Sequence, residues 1–382
     1  MNVRISAVRC LKCRSVLPVD DYLYGCPHCY EQEQNASVTL QYKGSANILT
    51  EQKGMKRYTQ FLPYSDFPSL GEGNTPVAII DRQAEALGLS KLYTKNEFQN
   101  PTGSHKDRMN PFFIARAIDL GKNVVCCAST GNEAASLALY SAAAGLQCVC
   151  VATHAITPIW KTAVLAAGAE LVMVDSMDER RVYLSEKIEE YGWYCATNQL
   201  DVPVGSPCFG VQGYKTIAFE LYEEFGKELP EYILIPVGRG DLLYGIYEGF
   251  ADLAEQSMLK KIPRLVGIEP IPRLERVLAG EDHRNKFPGD TSLTPSIGGY
   301  TATYQSQYAL ENSNGFAISV EQHTVVDAVK EFAQNGIYIE SSSAITLTCL
   351  KEAMRQEKIP KGASVLIIAT SHGYKNNPIL LD

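Results

Sequence analysis

Asn100-Pro101-Thr102-Gly103-Ser104-His105-Lys106-Asp107-Arg108 is the stretch on which the reading of this chain turns. It places a lysine at the end of a turn, where the chain enters a helix. The positive end of a helix dipole there lowers the basicity of the amine and favours a neutral nucleophile. Imine chemistry needs such a nucleophile. Taken alone the segment is ambiguous, because a lysine between His and Asp also suits a solvated helix start.

Three other segments narrow the choice. Ser129-Thr130-Gly131-Asn132 falls between a β-branched run and a helical one, offering hydroxyls, backbone N–H groups and an amide. Ligands collect at that edge of a parallel sheet. Pro236-Val237-Gly238-Arg239-Gly240-Asp241-Leu242-Leu243 is a second strand-to-helix junction, whose glycines let backbone N–H groups wrap a phosphate. Its spacing lacks the third glycine of a dinucleotide fingerprint, which argues against nicotinamide binding. Thr370-Ser371-His372-Gly373 closes a third apolar run with a hydroxyl pair.

These segments sit in a repeating rhythm. Strands are expected at 123–128, 147–152, 170–174, 232–237, 265–269 and 364–369. Helices are expected at 132–144, 158–167, 178–191 and 241–255. Such alternation implies parallel sheets covered by helices.

The 382 residues, 45% hydrophobic and 20% charged, suit a globular enzyme of two or three domains. A net charge of −8 argues against nucleic acid as a partner. No apolar run approaches the roughly 18 residues that span a bilayer. The first residues lack the apolar core of a signal peptide, so a cytoplasmic location is expected.

Of eleven cysteines, Cys126, Cys127, Cys148 and Cys150 lie in apolar runs and read as reduced core residues. Cys10-x2-Cys13 and Cys26-x2-Cys29 form paired knuckles separated by residues 14–25. Four thiolates so spaced can surround one Zn²⁺ ion. Residues 1–42 are too few to bury a core unaided, so a structural zinc would supply their folding energy.

In this order and spacing, the four loop segments resemble the fold-type-II pyridoxal 5′-phosphate (PLP) enzymes of the tryptophan synthase β superfamily, and most closely the threonine-synthase-like group. The resemblance covers nearly the whole chain. It implies an α/β fold of two parallel-sheet, three-layer subdomains preceded by a small zinc ribbon. The expected divisions are 1–42 for the ribbon, 75–205 for the smaller subdomain, and 206–382 with 43–74 for the larger. It also implies that Lys106 forms the internal aldimine and that Asn132 bonds the 3′-oxygen of the ring. Val237, Gly238, Arg239, Gly240, Asp241 and Leu242 would cradle the phosphate, Thr370 would meet the ring nitrogen, and the protein would be a homodimer.

A hydroxyl opposite the ring nitrogen does not hold it protonated as a carboxylate would. The ring is then a weak electron sink, and the expected chemistry is elimination or replacement at the β or γ carbon of a small amino acid. Lys106, once freed, would act as acid and base.

Several positions depart from the threonine-synthase pattern. Glu133 replaces a small hydroxyl residue that meets the substrate carboxylate. It either repels that carboxylate or simply occupies a first helical turn. Gly213-Tyr214-Lys215-Thr216 keeps a family stretch, but Val204–Gly210 before it lacks the arginine that binds the substrate phosphate. His105 takes an aromatic position beside the cofactor. Asp241 caps its helix and opposes a phosphate unless Arg239 compensates. Ser129, Thr130, Gly131, Lys161, Lys215 and Arg108 remain candidate substrate ligands, and Tyr300, Thr301 and Tyr304 candidate entrance residues.

The expected enzyme is therefore a PLP-dependent lyase or synthase, with O-phosphohomoserine disfavoured. Threonine synthesis itself, cysteate-synthase-like β-replacement, dehydration, and an inactive PLP-fold protein that binds a partner stay open.

Overall fold

The computed structural model describes residues 1–375. Contacts divide the chain into two units, Met1–Asn74 with Asn100–Thr216, and Thr75–Gln99 with Ile217–Asp382. Among the described residues, no helix is long and apolar enough to cross a membrane.

The first unit opens with a small antiparallel sheet, strand Ile5–Cys10 lying between Val16–Leu17 and Val38–Tyr42. Gly25, at φ +78°, makes the turn before the second knuckle. A Cβ there would lie 2.4 Å from the Ala36 carbonyl oxygen, so only glycine fits. Asp21, from the same turn, accepts from Arg116 Nε at 3.2 Å and from Tyr194 Oη at 2.7 Å. Both Asp21 and Arg116 are buried, and the guanidinium lies 4.2 Å from the centre of the Phe209 ring. This ion pair ties the N-terminal sheet to the rest of its unit.

Behind it, a parallel sheet runs in the order Glu170–Val174, Gln147–Thr153, Val124–Ala128, Tyr194–Cys195. The two-residue period of a strand sends alternate side chains to opposite faces. Val125, Cys127, Cys148 and Cys150 pack with Phe113, Leu137 and Tyr140 on one face. Cys126, Val149, Val151 and Cys195 pack with Leu184 on the other. All these cysteines are buried and unbridged.

The second unit holds a six-stranded sheet in the order Phe316–Ser319, Arg264–Glu269, Tyr232–Pro236, Ser364–Ile368, Lys91–Lys95, Val77–Ile79. Every pairing is parallel except the last, which is an antiparallel edge. One face carries a core of Leu234, Val266, Ile318, Val365 and Ile367 under Phe332 and Leu350.

The units differ from the expected divisions: residues 1–42 and 206–216 belong to the first unit, and two further stretches change sides. Residues 75–99 join the second unit because Lys91–Lys95 pairs with Ser364–Ile368, far away in sequence. Residues 43–74 join the first unit, where Tyr64 donates to Asp119 at 2.8 Å and Glu72 accepts from Tyr140 at 2.7 Å. The expected sheets are parallel as read, save for the edge strand.

Candidate active site

The lysine stretch turns on Gly103, at φ +80°. Asp107 clamps it from inside. Fully buried, its carboxylate accepts from the Thr102 N–H and hydroxyl at 2.6 Å each, and from Ser136 Oγ at 2.7 Å. Arg108 is equally buried and donates to Thr216 Oγ1 at 3.0 Å, which makes it a scaffold residue. Gly213 packs on this turn so closely that a Cβ would sit 1.8 Å from the Arg108 carbonyl oxygen.

Lys106 does not begin an α-helix, contrary to expectation. It lies on a 3₁₀ turn, His105–Arg108, and the α-helix starts at Asn110. Its electrostatic neighbour is Glu133, whose Oε2 is 3.5 Å from Lys106 Nζ. The group beside the amine is thus a side-chain carboxyl and not an α-helix N-terminus.

Glu133 is buried, like its neighbour Asn132, in the first turn of the Asn132–Ala144 helix. With its amide nitrogen turned toward Glu133, Asn110 donates to Oε1 at 3.1 Å. Glu133 thus occupies the first helical turn, as one of the two readings had it, and is buried there beside Lys106. The preceding loop is half-buried, with Ser129 Oγ accepting from the Gly131 N–H at 3.2 Å, which leaves Thr130 beside them. The His105 ring lies 5.7 Å from that of Tyr214. Lys215 is wholly buried with its ammonium 4.5 Å from the Tyr42 ring centre, whereas Lys161 is exposed.

In the second unit, Val237–Gly240 follows strand Tyr232–Pro236 and leads into helix Asp241–Glu255. Three peptide carbonyls of this loop are tied back. Arg273, 1% exposed, donates through Nη2 to Val237 O at 2.7 Å and through Nη1 to Gly238 O at 3.4 Å. Arg239 O accepts from Thr303 Oγ1 at 2.9 Å and Gln305 Nε2 at 3.1 Å. In a trans peptide the N–H points opposite to the C=O. The N–H groups of Gly238, Arg239 and Gly240 therefore face away from these anchors, forming a nest suited to an anion. The first-turn N–H groups of the helix add to it.

Gly240, at φ +80°, is the N-cap, which replaces the expected cap by Asp241. A Cβ on Gly240 would lie 1.8 Å from Ser306 Oγ. The Asp241 carboxylate is drawn to Gln305 Nε2 at 2.6 Å. Leu242 is buried behind the loop. Arg273 in turn is paired with Glu269 at 2.9 Å. Burial, the largest influence, pushes that carboxyl up to about 7 against the pull of Arg273 and the Leu274 N–H.

Thr370 follows strand Ser364–Ile368. Its N–H donates to Ser343 Oγ at 3.0 Å and its hydroxyl to Glu340 Oε1 at 2.9 Å. Of the proposed entrance residues, Tyr300 is exposed, Thr301 offers its carbonyl to Arg273 at 3.5 Å, and Tyr304 packs against the His283 ring at 5.7 Å.

The four knuckle cysteines converge. Their sulfurs all lie within 4.8 Å of one another, with Cys10–Cys29 and Cys13–Cys26 at 3.7 Å. A tetrahedral Zn²⁺ with bonds of about 2.3 Å has sulfurs about 3.8 Å apart, so the donor set fits the ion.

Sequence reasoning missed Asp107, Arg273, Thr303, Gln305 and Glu340. Arg273 lies beyond the glycine loop in another helix, and nothing in its spacing points back to Val237.

A family profile described as "Pyridoxal-phosphate dependent enzyme" matches residues 68–371. The chain is 30% identical to a threonine synthase of Methanocaldococcus jannaschii, over 96% of this chain and 92% of the relative. It is 28% identical to a threonine synthase of Methanosarcina acetivorans, over 98% and 93%. Among solved structures it is similar to threonine deaminase isoform 2 of Solanum lycopersicum, at TM-score 0.67 and 21% identity over 80% of each chain. It is also similar to an L-serine ammonia-lyase of Rhizomucor miehei, at TM-score 0.68 and 18% identity over 80% of this chain and 95% of that one. The nest in the second unit offers the backbone donors a cofactor phosphate requires, and the chain belongs to the pyridoxal-phosphate-dependent enzymes, among their lyases and synthases.

Proposed function

We propose that this enzyme carries out β- or γ-elimination or replacement on a small amino acid, and that O-phosphohomoserine is not its substrate. The observation that carries the proposal is the buried Glu133 carboxylate, 3.5 Å from Lys106 Nζ. A substrate with both a carboxylate and a phosphate would bring two anions toward a buried third, which a low-dielectric site penalises.

The residues divide the work as follows. Bound PLP supplies the electron sink that makes the substrate Cα proton acidic. Lys106 would hold the cofactor covalently and, once displaced by the substrate amine, move that proton. Asn132 would bond the 3′-oxygen of the ring. The Val237–Leu242 loop would hold the phosphate through backbone N–H groups, and Thr370 would meet the ring nitrogen. Ser129, Thr130 and Gly131 offer hydroxyls and N–H groups to the substrate, with His105 stacked alongside.

Cys10, Cys13, Cys26 and Cys29 would hold one structural Zn²⁺. The resemblance further supports a homodimer, and the sequence of the first residues a cytoplasmic location.

A second reading, threonine synthase, is favoured by the near full-length similarity to two relatives of that name. A screen of O-phosphohomoserine, O-phosphoserine, O-acetylserine, serine and threonine separates the two. Turnover of O-phosphohomoserine to threonine with kcat/KM above roughly 10⁴ M⁻¹s⁻¹, in the normal range for enzymes, would replace the first reading by the second.

A further inference from the structure

We infer that Glu133 is a catalytic residue: its carboxyl takes a proton from the Lys106 amine and delivers it to a hydroxyl that leaves the β carbon of the substrate. The inference names a β-hydroxy amino acid as the substrate class, and it rests on the reading of Lys106 as the group that takes the Cα proton.

Both residues lie in the first unit. Glu133 follows directly on the Ser129–Asn132 loop and is buried in the first turn of helix Asn132–Ala144. Asn110, itself fully buried, donates to Oε1 at 3.1 Å and leaves Oε2 turned to Lys106 Nζ at 3.5 Å. A small closure or a single water completes a path for a proton across that separation, and catalytic bonds commonly tighten only once substrate is bound. Asp107, the other buried acid of this turn, has both oxygens engaged by Thr102 and Ser136. Glu133 is the acid whose oxygen faces the amine.

A carboxyl that cycles a proton beside the base matters only for some leaving groups. Acetate or phosphate departs as a stable anion, needs no proton, and is repelled by a fixed carboxylate. A hydroxyl departs as hydroxide unless it is protonated as its bond breaks. The Cα–H bond breaks and its proton passes to Lys106 Nζ, which hands a proton on to Glu133. The electron pair of the Cα–H bond forms the Cα–Cβ double bond while the Cβ–O bond breaks. The oxygen keeps the pair of that bond and takes the proton from Glu133, leaving as water. Lys106 is then neutral and Glu133 a carboxylate, as before the step, and nothing has been oxidised or reduced by an outside reagent.

The test compares serine with O-acetylserine on holoenzyme, in wild type, Glu133→Gln and Glu133→Asp. Borohydride reduction and circular dichroism show that each variant is loaded and folded. Glu133→Gln should lower kcat/KM at least about a hundredfold for serine and less than about fivefold for O-acetylserine, and Glu133→Asp should recover part of the loss. Calorimetry with unreactive ligands adds a reading without turnover. α-Methylserine and 2-methylalanine both lack the Cα proton and share the α-carboxylate, so the ratio of their affinities isolates the hydroxyl. Wild type should prefer α-methylserine about tenfold, as for a hydrogen bond to a charged group, and Glu133→Leu should lose that preference. Equal losses for serine and O-acetylserine, no preference in the wild type, or a preference that survives in Glu133→Leu would overturn the role of Glu133. Wild type that turns over another of the screened amino acids but neither serine nor threonine would overturn the substrate class. Turnover of none of them would instead overturn the proposed reaction, and the inference with it.

Discussion

Lys106 Nζ and Glu133 Oε2 lie 3.5 Å apart, the glutamate side chain 7% and the lysine side chain 21% exposed. The carboxylate is held by the helix that begins at Asn132, while the amine rides on a turn clamped by Asp107. The pair places a negative charge where threonine-synthase-like sequences carry a small hydroxyl.

Replacing Glu133 by threonine should therefore improve the binding of ordinary α-amino acids. The expected fall in KM is at least about tenfold, equivalent to about 1.4 kcal/mol. Spectral titration with serine and threonine measures it. An unchanged KM would mean that Glu133 does not face the substrate carboxylate.

Lys106→Ala should lose all turnover and all borohydride-reducible PLP, because one side chain serves as anchor and base. The fold should persist, since the turn that carries Lys106 is held by the bonds of Asp107 to Thr102 and Ser136. A covalent PLP adduct surviving in this variant would place the anchor elsewhere.

Elemental analysis should find one zinc per chain, bound at Cys10, Cys13, Cys26 and Cys29. Chelation should raise hydrogen exchange in residues 1–42 while leaving PLP bound. The Asp21–Arg116 ion pair should keep the segment partly attached, so Arg116→Met should make the loosening worse. Metal-free protein with a protected N-terminal segment would defeat this prediction.

Arg273 anchors the carbonyls of Val237 and Gly238, so its loss should free the loop to rotate those peptides. Arg273→Met alone leaves Glu269 buried without its cation, which threatens folding. The double variant Arg273→Met with Glu269→Gln avoids that charge. It should bind PLP roughly ten- to a hundredfold more weakly, in line with about 1–3 kcal/mol for lost bonds to a charged group. An unchanged PLP affinity, read by fluorescence quenching, would show that the loop holds its shape without Arg273.

Glu269 also predicts a pH dependence. Folding raises its carboxyl from 4.5 to about 7, chiefly through burial. A carboxyl raised on folding gives its full stabilisation below the unfolded value and loses it as pH rises through the folded value. Stability of wild type relative to Glu269→Gln should thus fall from pH 4.5 to about 7 and level off above. Parallel urea-denaturation curves across that range would contradict it.

The sequence by itself determined the elements that local periodicity encodes. Helices at 132–144 and 241–255 and the strand at 170–174 lie where the pattern puts them, because apolar spacing and glycine punctuation act within a few residues. It also determined the family, through loop segments each contiguous in the chain, and the convergence of four cysteines, through the spacing of two knuckles. Tertiary structure alone decided what depends on distant partners. Lys91–Lys95 belongs with Ser364–Ile368 because of hydrogen bonds that no local pattern records. Glu133 is a buried partner of Lys106, and Lys215 a cation on the Tyr42 ring, because the folded chain closes over both. Arg273 reaches Val237 across the ends of two strands that become neighbours only in the sheet, and Glu340 reaches Thr370 from the start of a helix. The direction of a hydroxyl proton or a peptide N–H is set by the group on its far side, and only folding brings that group near.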